Sequence, residues 1–233
     1  MALTLNQDQQ LLKDSAQSFC QHNAPVSMLR KLRDSKDSDG FDRQLWQQMI
    51  ALGWAGMAIP EAYGGFDFGY GGLGVVLEET GRTLVSSPLI STVLVAATVI
   101  NELGSEQQKQ DLLPKIVAGE LLIALALDEQ TSHAPNRIAT TASKSGADYI
   151  LNGRKTFVLD GHVAQQLIVV ARTSGETDSE AGISLFLLDS NAEGVNCQRS
   201  WMVDSRNSAQ LEFVNVKLGA NALLGELDKG FDG

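Results

Sequence analysis

Two cysteines in 233 residues, Cys20 and Cys197, lie far apart and show no CxxC spacing. That argues against a disulfide framework or a thiolate metal clip and leads us to expect two reduced, buried or half-buried thiols. The three histidines, His22, His133 and His162, form no HxxxH or HExxH pattern, so no metal site is expected. There is no basic stripe. Residues 1–120 and 121–233 each carry 9 basic and 14 acidic side chains, and the net charge is −10. An evenly acidic surface does not neutralise phosphates, which disfavours nucleic acid as a partner, and it disfavours adhesion to anionic lipid. No apolar run reaches the roughly 18–20 residues of a membrane span. The stretch from Pro88 to Leu103 comes nearest, but Ser91, Thr92, Thr98, Asn101 and Glu102 interrupt it. The start, MALTLNQDQQ, has neither a basic region nor a long apolar run, so no signal peptide is expected and the expected location is cytoplasmic.

What is present is ordinary globular composition, 43% hydrophobic and 20% charged. The first half carries helical signals. Thr4 and Gln7 have capping-box spacing, followed by an apolar stripe at Leu5, Leu12, Ala16 and Phe19. The charged, serine-rich segment 26–40 reads as a short helix and a loop. Asp42 is placed to cap a helix with apolar Leu45, Trp46, Met49, Ile50 and Leu52, and Gly53 to stop it. Residues 54–74 hold seven glycines and a proline, which predicts a long structured loop. Helices are expected over Leu73–Leu84 and Pro88–Leu103. Ser105 and Gln108 form a second capping pair, and Pro114 is expected to open a separate turn because it fits poorly inside a helix.

Gly69, Gly71 and Gly74 spell GxGxxG, the dinucleotide fingerprint. Its context is wrong. The preceding IPEAYGGFDF is no buried strand, and no acidic residue ends a second strand about twenty residues on. These glycines are expected to serve tight turns with positive φ.

After Glu120 the pattern changes to strands. Leu121–Leu127 is a continuous apolar run. Tyr149–Leu151 and Lys155–Leu159 flank Asn152-Gly153, which predicts a hairpin. Leu167–Ala171, Ile183–Leu188 and Gln210–Val216 follow as strands, with a polar loop at Thr173–Ala181. Helices followed by strands imply an α+β chain. We expect a helical domain over residues 1–120, then a β domain over residues 121–233.

Four segments in order carry a family resemblance: LWQQMIALGWAGMAIPEAYGG (45–65), LLPKIVAGE (112–120), TTASKSGADYILNGRKTF (140–157) and LEFVNVKLGANALLG (211–225). Together they resemble the acyl-CoA dehydrogenase flavoproteins across nearly the whole chain. The resemblance implies an N-terminal all-α domain, a β-barrel-like middle domain and, in the family, a C-terminal four-helix bundle. It implies FAD as cofactor, an acyl-CoA thioester as substrate and electron-transfer flavoprotein or another acceptor as partner. The implied reaction is α,β-dehydrogenation. A carboxylate on the bundle takes the α proton, and the β hydrogen leaves as hydride to the flavin.

The family's flavin-holding "LTEP-GAGSD" loop falls on Leu127 to Pro135, after strand residue Leu125. Asp128 stands where the family has a threonine on the flavin ring, and Ala134 where it has a serine on a flavin phosphate, with Ser132 or Thr131 as substitutes. The "WITN" segment falls on Phe157 to Asp160. Phe157 keeps the aromatic face, and Leu159 replaces a threonine hydroxyl. The acyl chain is implied to lie along the helix from Pro88, against Ser87, Pro88, Ser91 and Val95. Two consequences stay open: a diverged enzyme holding FAD by other groups, or a degenerate subunit assembled with a catalytic partner in a homo- or hetero-oligomer. Other flavin chemistry on the same scaffold is a third. The chain stops at GELDKGFDG, in the loop leading to the family's bundle. It is therefore expected to be part of a longer protein, with no catalytic base of its own and little activity alone.

Overall fold

The computed structural model describes residues 4–231, in which six α-helices precede eight strands. Helix α1 (Gln7–Asn23) opens on Asn6. The Asn6 side chain accepts the Gln9 N–H, and the Gln9 side chain accepts the Asn6 N–H. The capping box is therefore two residues beyond the expected Thr4–Gln7 pair, and Asn caps at least as well as Thr. Helix α2 (Val26–Ser35) and a loop follow. Helix α3 (Arg43–Ala51) is capped by Asp42, which accepts the N–H of Gln44 and Leu45, and the chain turns at Gly53 with φ 78°.

Helix α4 spans Gly69–Arg82, starting four residues and ending two residues earlier than expected. Only Gly69 of the GxGxxG glycines has positive φ, 80°; the others lie inside the helix. Gly72 is needed for space, because a Cβ there would fall 2.0 Å from the Phe68 ring. Beyond Pro88 the backbone winds as a π-helix over Leu89–Ala96 before tightening into α5 (Ala97–Leu103), where a single regular helix was expected. Thr92 fixes this wide segment: its hydroxyl donates to the Ile123 carbonyl at 3.0 Å and accepts the Ile123 N–H at 3.1 Å. Helix α6 (Glu106–Val117) starts at the Ser105–Gln108 box and runs straight through Pro114, which does not open a new turn. The proline removes one backbone bond, but Leu112, Leu113 and Ile116 are buried around it, and that packing outweighs the loss.

The strands are β1 (Ile123–Ala126), β2 (Thr141–Ser145), β3 (Asp148–Leu159), β4 (Gln166–Arg172), β5 (Ile183–Asp189), β6 (Val195–Trp201), β7 (Asn207–Leu218) and β8 (Leu223–Leu224). Their order is β6-β7-β3-β2-β4-β5-β8, with β1 parallel beside β4. The expected hairpin at Asn152-Gly153 is absent. Strand β3 runs through both residues, and the hairpin turn is Gly146-Ala147, between Ser145 and its partner Asp148. Asn152-Gly153 instead forms an irregularity where the β3–β7 register shifts. Gly153 takes φ 147°, and a Cβ there would fall 2.5 Å from Thr140 Oγ1. The glycine serves close approach, not a turn.

Alternate sheet residues face two cores, as period two requires. Ile123, Ile168, Val170, Ile183 and Leu185 join the helical core around Trp46, Leu73, Ile100 and Leu113. On the other face Ala124, Ala126, Leu151, Val169, Phe186, Leu211 and Phe213 form the second core. The architecture is the expected one, helices then a mixed sheet, and among the described residues no helices follow β8 beyond short turns. Among the described residues, no helix is long and apolar enough to cross a membrane.

Candidate functional site

The turn after β1 and the distal end of β3 are brought together. The Thr156 N–H donates to the Asp128 carbonyl at 2.7 Å. Lys155, on the same strand, reaches back with its Nζ to the Leu127 carbonyl at 2.9 Å and Glu129 Oε1 at 2.7 Å. Glu129 also accepts the N–H of Ala139 at 2.7 Å and of Thr140 at 3.0 Å. Burial pushes the Lys155 ammonium down to about 8. Burial alone would raise Glu129, but the Lys155 charge and the bonds from Lys155 and Thr140 outweigh it and hold the carboxyl below the usual range.

One residue further on, Thr156 and Phe157 together oppose Gln210, between the pairs Lys155–Leu211 and Val158–Ala209. This bulge gives Phe157 a φ of 52° and turns its ring outward, 45% exposed. A positive φ at an aromatic residue is costly, and such strain collects at functional positions. The ring lies on an open groove of about 800 Å³, whose walls include Gln130 and Thr131 from the turn, Gln198 and Ser200 from β6 and Gln210 from β7.

The expected cofactor residues divide. Phe157 lines this groove, and Glu129 to Thr131 bring the turn to it, but Leu125, Leu127, Asp128, Ala134 and Leu159 are not in its walls. Leu125 and Leu127 pack against the helical core. Asp128 Oδ1 lies 3.0 Å from His133 Nδ1 at the surface. The expected acyl-chain residues divide too. Ser87 lines a second cavity of about 230 Å³ with Leu29, Leu77, Leu89 and Ile90, while Pro88, Ser91 and Val95 do not. The Ser91 hydroxyl is spent on Asp160 Oδ2 at 2.6 Å. Asp160 ends the flavin-type segment, is 6% exposed and has φ 56°. Burial raises its carboxyl above the ordinary range, against the bonds from Ser91 and Asn207 and the charges of Arg206 and Arg199.

Lys155, Glu129 and Asp160 lie inside the segments that carry the resemblance but were given no role there, and Arg172 had no sequence signal at all. Arg172 is 6% exposed and donates to five carbonyls, of Asn136, Ile138, Thr177, Ser179 and Ala181. It gathers the loop 134–140 and the polar loop 173–182 behind the turn. Only burial could have singled these charges out, since a charged side chain in sequence reads as solvated.

An isoalloxazine ring needs a flat apolar platform and hydrogen-bond partners at its polar edge. The exposed Phe157 ring would serve as the first, and the Gln130, Thr131, Gln198, Ser200 and Gln210 groups around the groove would serve as the second. The donor set fits such a ring, with Leu159 contributing no hydroxyl. Cys20 is buried, whereas Cys197 is exposed at the groove, more open than expected. No group of three or more His, Cys, Asp or Glu residues that could hold a metal occurs among the described residues.

Two sequence models of one family match this chain: "Acyl-CoA dehydrogenase, N-terminal domain" over residues 6–120 and "Acyl-CoA dehydrogenase, middle domain" over residues 124–216. The chain belongs to the acyl-CoA dehydrogenase family. It is 34% identical to the long-chain specific acyl-CoA dehydrogenase of pig (Sus scrofa) mitochondria, over 81% of this chain and 45% of that protein. The structure of butyryl-CoA dehydrogenase from Megasphaera elsdenii superimposes with a TM-score of 0.85 at 28% identity, covering 100% of this chain and 62% of the other. A chain of the ChsE4–ChsE5 complex from Mycobacterium tuberculosis gives 0.85 at 27% identity, covering 97% and 58%. The chain thus spans about half the length of the curated relatives it matches.

Proposed function

We propose that these residues form the helical and flavin-facing parts of an FAD-dependent acyl-CoA dehydrogenase. The observation that carries this is the 2.7 Å bond from Thr156 N–H to the Asp128 carbonyl, which joins the turn to the strand that presents Phe157. In this assignment Phe157 supports one face of the ring. The turn and the polar groups around the groove orient its edge, and bound FAD supplies the acceptor for the substrate's β hydrogen. The cavity at Ser87, Leu89 and Ile90 suits an acyl chain, and we assign residues 1–120 to substrate and packing, 121–233 to the flavin. No carboxylate here is assigned as base. The electron acceptor in this scheme is an electron-transfer flavoprotein or its equivalent.

Titration of the purified chain with FAD, followed by visible absorption, tests this. A shifted, saturable flavin spectrum is expected, weakened by Phe157→Ala. Saturable binding unchanged in Phe157→Ala, or no binding at millimolar FAD, would overturn it.

A second assignment, a non-catalytic subunit of a hetero-oligomer, is favoured by one observation: Leu159 and Asp128 stand where hydroxyls are expected. Likeness to a chain from a complex of two named proteins is compatible with it. A colourless chain that binds flavin only with a second, different chain would decide for this alternative.

A further inference from the structure

We infer that Lys155 and Glu129 are positioning residues, an ion-pair clamp that fixes the flavin-facing turn before any flavin arrives. This deepens the proposed FAD site and rests on it. Lys155 Nζ has no exposed surface and Glu129 is 10% exposed. Burying an ion pair is a poor route to stability, because desolvation cancels most of the attraction; an apolar pair of the same volume serves as well or better. What an apolar pair does not supply is direction. Here the ammonium holds two points on the turn, the Leu127 carbonyl and the Glu129 carboxylate. That carboxylate then holds the N–H groups of Ala139 and Thr140. Thr140 closes the loop by donating its hydroxyl to the Arg154 carbonyl at 3.1 Å, next to Lys155 in the chain. Each bond crosses between segments distant in sequence. Together they set the register of the turn against β3, and hence the place of Asp128 to Thr131 relative to Phe157. The groups that make contact with flavin in the family have changed here, at Asp128 and Leu159. The clamp behind them is complete, so the turn keeps its geometry whatever side chains it carries.

The test is backbone hydrogen exchange on the 233-residue chain without FAD, together with FAD affinity. Three chains are compared: unsubstituted, Lys155→Met, and Lys155→Met with Glu129→Leu. In the unsubstituted chain the Thr156, Ala139 and Thr140 amides are expected to exchange slowly. In Lys155→Met they are expected to exchange roughly tenfold faster or more, the factor for about 1.4 kcal/mol, while Val169 and Phe186 in β4 and β5 are unchanged. FAD affinity is expected to fall by a similar factor. The double substitution is expected to restore the thermal midpoint but neither amide protection nor affinity, a separation that a merely structural pair would not give. Protection unchanged in Lys155→Met, or affinity restored by the apolar pair, would overturn the clamp. Failure of the unsubstituted chain to bind FAD would refute the flavin site, and the exchange rates alone would then decide the clamp.

Discussion

Replacing Asp160 with Asn is expected to stabilise this protein at neutral pH. Asp160 is buried where β3 meets the π-helix; the Ser91 hydroxyl donates to its Oδ2 at 2.6 Å, and Asn207, Arg206 and Arg199 offset its burial only in part. Its carboxyl is raised in the folded state, chiefly by burial. A carboxyl raised on folding binds a proton more tightly in the native chain than in the unfolded one. Stability is therefore greatest below the unfolded aspartate value, about 3.9, and falls as pH rises from there through the folded value. Each unit of displacement costs about 1.4 kcal/mol at higher pH. Asn keeps the shape and an acceptor for Ser91 but carries no charge. We expect Asp160→Asn to gain about 1–3 kcal/mol at pH 7, the usual penalty of an imperfectly satisfied buried group. A chain of this size gains about 2–4 °C in midpoint per kcal/mol. Thermal unfolding followed by circular dichroism from pH 3.5 to 8 reads this directly. The gain should vanish at the acid end and grow with pH. A variant less stable at pH 7, or a gain independent of pH, would refute the reasoning. Asp160→Ala, which leaves the Ser91 hydroxyl only the weaker Pro88 carbonyl at 3.4 Å and opens a small cavity, should instead lose stability.

Gly153→Ala is expected to cost about 2 kcal/mol or more, because the new Cβ meets Thr140 Oγ1 at 2.5 Å and φ 147° is unsuited to a side chain; urea unfolding measures it. Arg172→Met should cost about 3 kcal/mol or more, leaving five carbonyls without their common donor. Limited proteolysis should then cut first within 134–140 or 173–182.

Much of the fold is legible from sequence where one local rule decides. Asp42 and Ser105 cap the helices expected of them, because a short polar side chain before an apolar stripe has few other uses. The apolar runs at Leu167–Ala171 and Ile183–Leu188 are central strands because nothing but a buried sheet accepts them. Prediction failed where tertiary contacts chose between local options. Asn152-Gly153 is compatible with a turn or a bulge, and the approach of Thr140 selected the bulge. Pro114 is compatible with a break, yet its buried neighbours kept the helix intact. Strand β6, with mostly exposed and half-buried residues in NCQRS, gave no apolar signal and was missed. In the candidate site, the resemblance singles out Phe157, and the structure sets its ring on the groove. The charges behind it were not singled out, because pairing of Lys155 with Glu129 exists only once the chain has folded.

The most direct test of the flavin-facing assignment is the change in backbone amide NMR shifts as FAD is added to the chain, a readout that registers even weak binding. The expected result is saturable shifts concentrated at Asp128–Thr131 and Thr156–Leu159, with the amides of α1 and α2 unmoved. Shifts centred elsewhere, or none at millimolar FAD, would contradict it.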